Sequence, residues 1–179
     1  MDKLKNQQTV ESDKHSFSNL CSTCKKSCCT NFAAPLVFPN DMEKLKKIGK
    51  ASEQYLMDVM ISGKSVKKIK KTSGTTNCVF WDQNNGCTIY AERPFDCKMF
   101  PFDIEPIGDE YFWIVYTCNL YSDWTWSEKH LQELEKNLLE LDYKNLLEII
   151  SKSPVSGSEL ISYKILRKIN LPYSNKSGT

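Results

Sequence analysis

The sequence predicts an α+β protein: a small, irregular domain of short hairpins and helices stapled by metal, with a helical extension on its C-terminal side. Three observations predict this. Eight cysteines are spread over residues 21–118. Two glycine-centred reversals lie between aromatic-rich runs in the same region. A leucine stripe at helical spacing begins after Ser127. With 179 residues, 40% apolar and 26% charged, the chain has the make-up of an ordinary globular domain plus extensions. The core is modest, so bound metal is expected to supply much of the folding free energy, on the order of 10 kcal/mol for a structural zinc.

Taken in order, residues 1–16 are polar and aperiodic and read as a tail. "CSTCKKSCC" (21–29) carries small and polar residues between its sulfurs, as a loop folding around an ion would. "NFAAPLVFP" (31–39) is apolar, ends on proline and reads as a short buried strand. "NDMEKLKKIG" (40–49) reads as a helix: Asn40 is placed to cap, Glu43 to reach back to the cap amide, Met42, Leu45 and Ile48 to form one face, and Gly49 to end it. Ser52 heads a second short helix running to Met60. "GKSVKKIKKTSG" (63–74) carries five lysines. It reads as a solvated loop or a charged strand edge in preference to a patch for an anionic partner.

"CVFW" and "CTIY" flank "DQNNG", whose Asn-Gly signals a hairpin. "AERPFDC" reads as a turn, with Pro94 biasing Arg93 towards extended backbone. "FPFDIEPIGDEYFWIVYTC" reads as a second hairpin reversing near Gly108-Asp109. Ser127 caps an amphipathic helix with Leu131, Leu134, Leu138 and Leu141 on one stripe, continued by Leu146, Leu147, Ile149 and Ile150 after a break near Asp142. Pro154 and Gly157 end it, and Ser158 heads a last helix, 159–169. The expected organisation is a tail (1–16), a cysteine-cluster domain (17–126), a helical extension (127–172) and a terminal tail (173–179).

Composition excludes several function classes. A net charge of +2 is too small to argue for nucleic acid or an anionic membrane. No apolar run approaches the roughly 18 residues of a spanning helix. The N-terminal stretch has no apolar core of a secretory signal, so a cytoplasmic protein with reduced thiols is expected. Histidine occurs only at His15 and His130, neither beside a nucleophile, and no P-loop or nucleophile elbow is present; no catalytic residue is assigned.

The cysteines are Cys21, Cys24, Cys28, Cys29, Cys78, Cys87, Cys97 and Cys118. A reducing compartment argues against a disulfide framework, and the neighbours Cys28 and Cys29 cannot bridge each other without strain. Sulfur-only sites select zinc, copper(I) or iron–sulfur clusters. Cys21 and Cys24 have the spacing at which one turn aims two sulfurs at one ion, whereas Cys78, Cys87, Cys97 and Cys118 are widely spaced, so the tertiary fold must close the site. Consecutive side chains in extended backbone diverge, which makes Cys28 and Cys29 better suited to two metals, or to two irons of one cluster, than to one ion. Eight sulfurs match two four-sulfur sites. The plainer alternative is one four-cysteine site plus buried, inert cysteines. Two such sites would move the net charge from +2 to about −2, and Lys25, Lys26, Arg93 and Lys98 stand beside the sulfurs to soften that field. Arg93 is singular because the only other arginine is Arg167. Aromatics from Phe80 to Tyr116 serve either as an apolar shell for the sulfurs or as the core. Asp96 and Asp103, on either side of Cys97, are candidate acceptors behind the ligands or simply turn residues.

"CSTCKKSCC" (21–29), a cysteine before a hairpin, and "CTIYAERPFDCKMFPF" (87–102) together resemble the YkgJ-like cysteine-cluster family, the CxxCxxCC zinc- or iron-chelating domain. The resemblance covers about residues 17–120, with Cys118 similar to the family's downstream cysteine. It implies metal chelation by the cysteines, with Arg93, Pro94 and Pro101 as framework positions. Proteins sharing the domain resemble flagellin lysine-N-methylases, but this chain shows no glycine-rich cofactor fingerprint, and its Cys21-x2-Cys24-x3-Cys28 order is the reverse of the spacing expected of a radical-type methyl-donor site. The expectation is therefore a protein binding zinc or iron, or an iron–sulfur cluster, through eight cysteines, in electron transfer, metal handling or as an enzyme accessory. A metal-dependent lysine methyltransferase-like enzyme and a zinc-stapled interaction module are the alternatives. The expected partners are metal ions and a protein docking on the C-terminal helices.

Overall fold

The computed structural model describes residues 28–31, 34–61, 63–116, 128–141, 147, 149 and 163–171. In chain order the elements are α1 (Cys28–Asn31), β1 (Leu36–Val37), α2 (Pro39–Lys47), β2 (Leu56–Ile61), β3 (Lys64–Ile69), β4 (Trp81–Asp82), β5 (Gly86–Cys87), a 3-10 turn (Tyr90–Glu92), α3 (Phe95–Met99), β6 (Phe102–Ile107), β7 (Glu110–Tyr116), α4 (Glu128–Glu140) and β8 (Tyr163–Lys168). The sheets are small and antiparallel, ordered β1-β3-β2, β4-β5 and β6-β7-β8. The α+β class expected from the sequence is the class observed.

Helix α2 starts two residues earlier than an Asn40 cap would set it, on Pro39, whose ring is pre-shaped for a first helical position. The acid that reaches back is Asp41, not Glu43: its Oδ2 accepts the Phe38 amide at 3.2 Å. Glu43 is exposed and pairs with Lys46. Leu45 is fully buried, while Ile48 lies past the helix end and is exposed.

Two further expectations are corrected in this half. Ser52 opens a turn, accepting the amides of Tyr55 and Leu56, but the chain then runs as strand β2 and not as a helix. Its partner decides this: β2 pairs along its length with β3, placing Val59 opposite Val66, Leu56 opposite Ile69, and Asp58 opposite Lys67 in an ion pair of 2.9 Å. The lysine-rich stretch is not an edge. β3 is the central strand, held by β1 on one side and β2 on the other.

The two hairpins lie where the reversals were expected. Gly86 (φ +72°) follows Asn85 and opens β5, and the Asp82 carboxylate caps the turn by accepting the Asn84 and Asn85 amides. Ile107 pairs with Glu110 across Gly108-Asp109. α4 buries Leu131, Leu134 and Leu138, as its stripe requires, and Leu147 and Ile149 are also helical and buried.

The segment read as a last helix is strand β8, which pairs with β7 from Phe112–Lys168 to Tyr116–Tyr163. Arg167 on β8 holds Glu135 on α4 through two nitrogens, at 2.7 and 3.2 Å, and Glu128 at 2.9 Å. Glu135 also accepts the indole of Trp113, which is fully buried, and the amide of Asn170. These long-range partners outweigh local helix preference.

Two apolar clusters result. One packs β6, β7 and α4 with Phe95 and Met99 of α3. The other gathers Val37, Leu45, Leu56, Ile69, Phe80 and Ile89 around Cys78. The tails, Ser127 and the break near Asp142 lie outside the described residues.

Candidate metal centre

Four segments bring the described cysteines, with Cys28 and Cys29 together on the first. Cys29 lies on α1, and its carbonyl accepts the amide of Cys78 at 2.6 Å. Cys78 forms a lone antiparallel bridge with Lys71, and its own carbonyl accepts the Trp81 amide, so its backbone is held on both sides. Cys87 ends β5 directly opposite Trp81. Cys97 lies on α3, a helix replacing the turn expected at "AERPFDC". Arg93 has the extended backbone that Pro94 imposes, and the helix begins only after it. Phe95 and Met99 share one face of α3 and enter the first cluster, so Cys97, two residues on from Phe95, occupies the opposite face.

Cys78 is buried in the second apolar cluster, and Cys29 and Cys87 pack against it. Cys78, Cys87 and Cys97 are thiols, not disulfides. Burial raises the pKa of all three. Cys97 is pushed well above its ordinary value by burial, then by Asp96 and by the charges of Cys78, Cys29 and Cys87. Cys78 is raised by burial against the Phe80 amide, with Cys29 and Cys87 adding and Lys71 opposing. Cys87 is raised by burial, opposed by the Ile89 amide and by Arg93, with Cys29 adding. The four sulfurs thus repel one another as thiolates. A cation placed among them would reverse that penalty and displace their protons, which is how thiols take up a soft metal. The donor chemistry fits zinc or iron. Among the described residues, no three Cys, His, Asp or Glu side chains are close enough to grip one ion together.

Cys28 is helical in backbone, not extended. A helical backbone thus replaces the extended one from which the divergence of Cys28 and Cys29 was argued. Cys21, Cys24, Cys118, Lys25, Lys26 and His15 lie outside the described residues. Of the cations expected to soften the field, Arg93 acts on Cys87. The sequence reading missed Lys71, which acts on Cys78 from across their strand bridge. Lys98 instead faces Asp41, Glu92, Lys44 and Arg93.

Two carboxylates position α3. Asp41 is 1% exposed and accepts the Phe95 amide with both oxygens at 3.2 Å, besides that of Phe38. Asp96 accepts the Leu36 amide at 2.8 Å. Burial, with the charge of Asp103 adding, pushes the Asp96 carboxyl up to about 7. Asp103 bonds the Tyr116 hydroxyl at 2.6 Å and the Ile104 amide. Asp96 and Asp103 are therefore anchors of backbone and fold. Asp41 escaped the sequence reading because its main partner lies far along the chain; the available signal was an acid two residues after a helix-opening proline.

His130 is not a plain surface histidine. Its ring is half-buried 5.3 Å from that of Phe102. Phe80 stacks on Tyr55 at 5.1 Å inside the cysteine cluster, while Phe102 and Trp113 fill the other core. The aromatics thus serve both expected roles.

Residues 20–119 match the family model CxxCxxCC, described as "Putative zinc- or iron-chelating domain". The chain belongs to this family. The match takes in all eight cysteines and strands β1 to β7, and stops short of α4 and β8. No curated protein and no solved structure matches the chain. Metal chelation, by zinc or iron, is the function carried by the family's description. No helix among the described residues is long and apolar enough to cross a membrane.

Proposed function

We propose that Cys21, Cys24, Cys28, Cys29, Cys78, Cys87, Cys97 and Cys118 together hold a zinc or iron centre of more than one metal atom. The observation that carries this reading is the neighbourhood of Cys29, Cys78, Cys87 and Cys97, delivered by four separate segments and coupled through their charges. Bound zinc would supply a structural staple; bound iron–sulfur would supply one-electron chemistry. The chain's own contribution is to aim the sulfurs and to exclude water. Cys78 and Phe80 stand in an apolar cluster, and Asp41 and Asp96 lock the helix bearing Cys97 to α2 and β1. A cytoplasmic location, where thiols stay reduced, suits such a centre.

The test is elemental analysis with an absorption spectrum of anaerobically purified protein. Two or more metal atoms per chain are expected, colourless for zinc and coloured for iron–sulfur. Protein that folds and holds no stoichiometric metal would refute the reading.

A further inference from the structure

The lysine-rich stretch stands on and beside the middle strand of its sheet, so its charges do not guard an edge. The edge is β2, which carries neither lysine nor proline and is apolar at every position but Asp58. Edge strands ordinarily blunt themselves with charge, proline or a bulge. Met60, on this edge strand, is 69% exposed, more than any other large apolar side chain described. The hydrogen bonds show which groups β2 presents. The Lys70 amide donates to the Tyr55 carbonyl, whereas the Ile69 amide donates to Pro35, on the side of β1. Bonded positions alternate along an antiparallel ladder. Met57, Val59 and Ile61 therefore bond β3, and Asp58 and Met60 turn their backbone N–H and C=O outward.

One face of the same hairpin carries Met57, Val59 and Ile61, with Lys68, Val66 and Lys64 opposite them in that order. It is an apolar strip with a lysine at each end. Residues 56–71 hold five lysines and one acid, a net +4 in a chain of +2, which leaves −2 for the rest. The one acid, Asp58, is already paired with Lys67. A second copy of the chain would bring the same positive hairpin against this one, so charge disfavours self-pairing along β2.

We propose that β2 receives an extended acidic segment of a partner protein as a further strand of this sheet. The outward groups of Asp58 and Met60 pair with its backbone. On the lysine-bearing face, an apolar residue of the segment packs beside Val59. Acidic residues two positions to either side of it meet Lys64 and Lys68. They reach across two strand spacings, about 10 Å, which a glutamate and a lysine span between them. Backbone pairing supplies affinity and the alternating side chains supply specificity, as in other strand-addition sites. This surface does not depend on the metal reading.

The probe is a fluorescent, capped peptide reading threonine, glutamate, threonine, valine, threonine, glutamate, threonine, the same in both directions, titrated into the full chain. Saturable binding is expected, with slowed hydrogen exchange at the Asp58 and Met60 amides. Met60→Pro removes an outward donor at an edge position where proline is tolerated, leaving the pairing with β3 in place. It is expected to bind the peptide at least about 10-fold more weakly. Lys64→Gln combined with Lys68→Gln, or glutamine in place of both peptide glutamates, is expected to cost about 10-fold as well. No binding up to about 1 mM, the weak end of specific recognition, would overturn the proposal. So would equal binding by Met60→Pro, which would mean charge attraction without strand addition, or equal binding of the glutamine peptide. A parent chain that forms dimers which Met60→Pro abolishes, and that ignores the peptide, would assign the edge to a second copy instead. If the lysine variant does not fold, the glutamine peptide on the parent tests the charge alone.

Discussion

The amide of Cys78 donates to the carbonyl of Cys29 over 2.6 Å, tying the helix that ends the N-terminal cysteine run to the first cysteine of the hairpin region. The bond is between backbones, so it survives substitution of either side chain. Cys78→Ser therefore keeps the tether but loses a sulfur and puts a hydroxyl into an apolar cluster. The expected result is a lower metal content per chain and a lower melting temperature, read by elemental analysis and calorimetry on the same sample. Full metal content would remove Cys78 from the ligand set.

The raised thiol pKa values set a pH dependence. Cys78, Cys87 and Cys97 titrate above the ordinary 9.0 in the folded chain. For the metal-free protein, the stability they contribute is whole below 9.0 and is lost as the pH rises towards their folded values, because the unfolded thiols ionise first. Metal-free protein should thus melt at falling temperature above about pH 9, while metal uptake at neutral pH should release protons, measurable with an indicator dye. Uptake without proton release would contradict the thiol states described.

Asp41 is the main anchor between α2 and α3. Asp41→Ala strands the amides of Phe38 and Phe95 and should cost about 2–4 kcal/mol in denaturant unfolding. Because Cys97 is two residues from Phe95, metal affinity should fall with it. Glu43→Ala, on the exposed side of the same helix, should leave the unfolding midpoint nearly unchanged.

The Glu135–Arg167 pair joins α4 to β8. Burial raises the Glu135 pKa, but the bonds from Arg167, the Asn170 amide and Trp113 outweigh it and hold the carboxyl below its ordinary 4.5. A depressed carboxylate contributes stability above its unfolded pKa and loses it as the pH falls through the folded value. Parent protein should therefore weaken below about pH 4.5. Glu135→Gln should cost about 2–3 kcal/mol at neutral pH and show a shallower acid limb in melting curves taken against pH.

Gly86, in the turn before Cys87, has φ +72°. A methyl there meets only ordinary contact with Trp81, so the penalty of Gly86→Ala is conformational, about 1 kcal/mol. The same substitution should slow metal loading little, since β5 keeps its pairing with β4. A loss of metal with unchanged stability would show that the turn itself shapes the site.

Short-range signals were legible in the sequence. Asn85-Gly86 and Gly108-Asp109 each specify a reversal within a few residues, and Leu131, Leu134 and Leu138 mark a helical face without reference to anything else in the chain. The cysteine spacings likewise named the family and its metal chemistry. β2 and β8 were misread as helices because a strand takes its stability from a partner, and those partners are β3 and β7. The helix carrying Cys97 was misread as a turn because its anchor, Asp41, sits on another helix.

By itself, then, the sequence determined the donor chemistry, the two reversals and the amphipathic helix, since each depends on residue type and near-neighbour spacing. Only the tertiary structure decided which strands pair, where Cys97 faces, and that the Arg93 Nε–H is buried with no acceptor among the described residues. The physical reason is that burial and charge coupling are properties of space, arising between residues far apart along the chain.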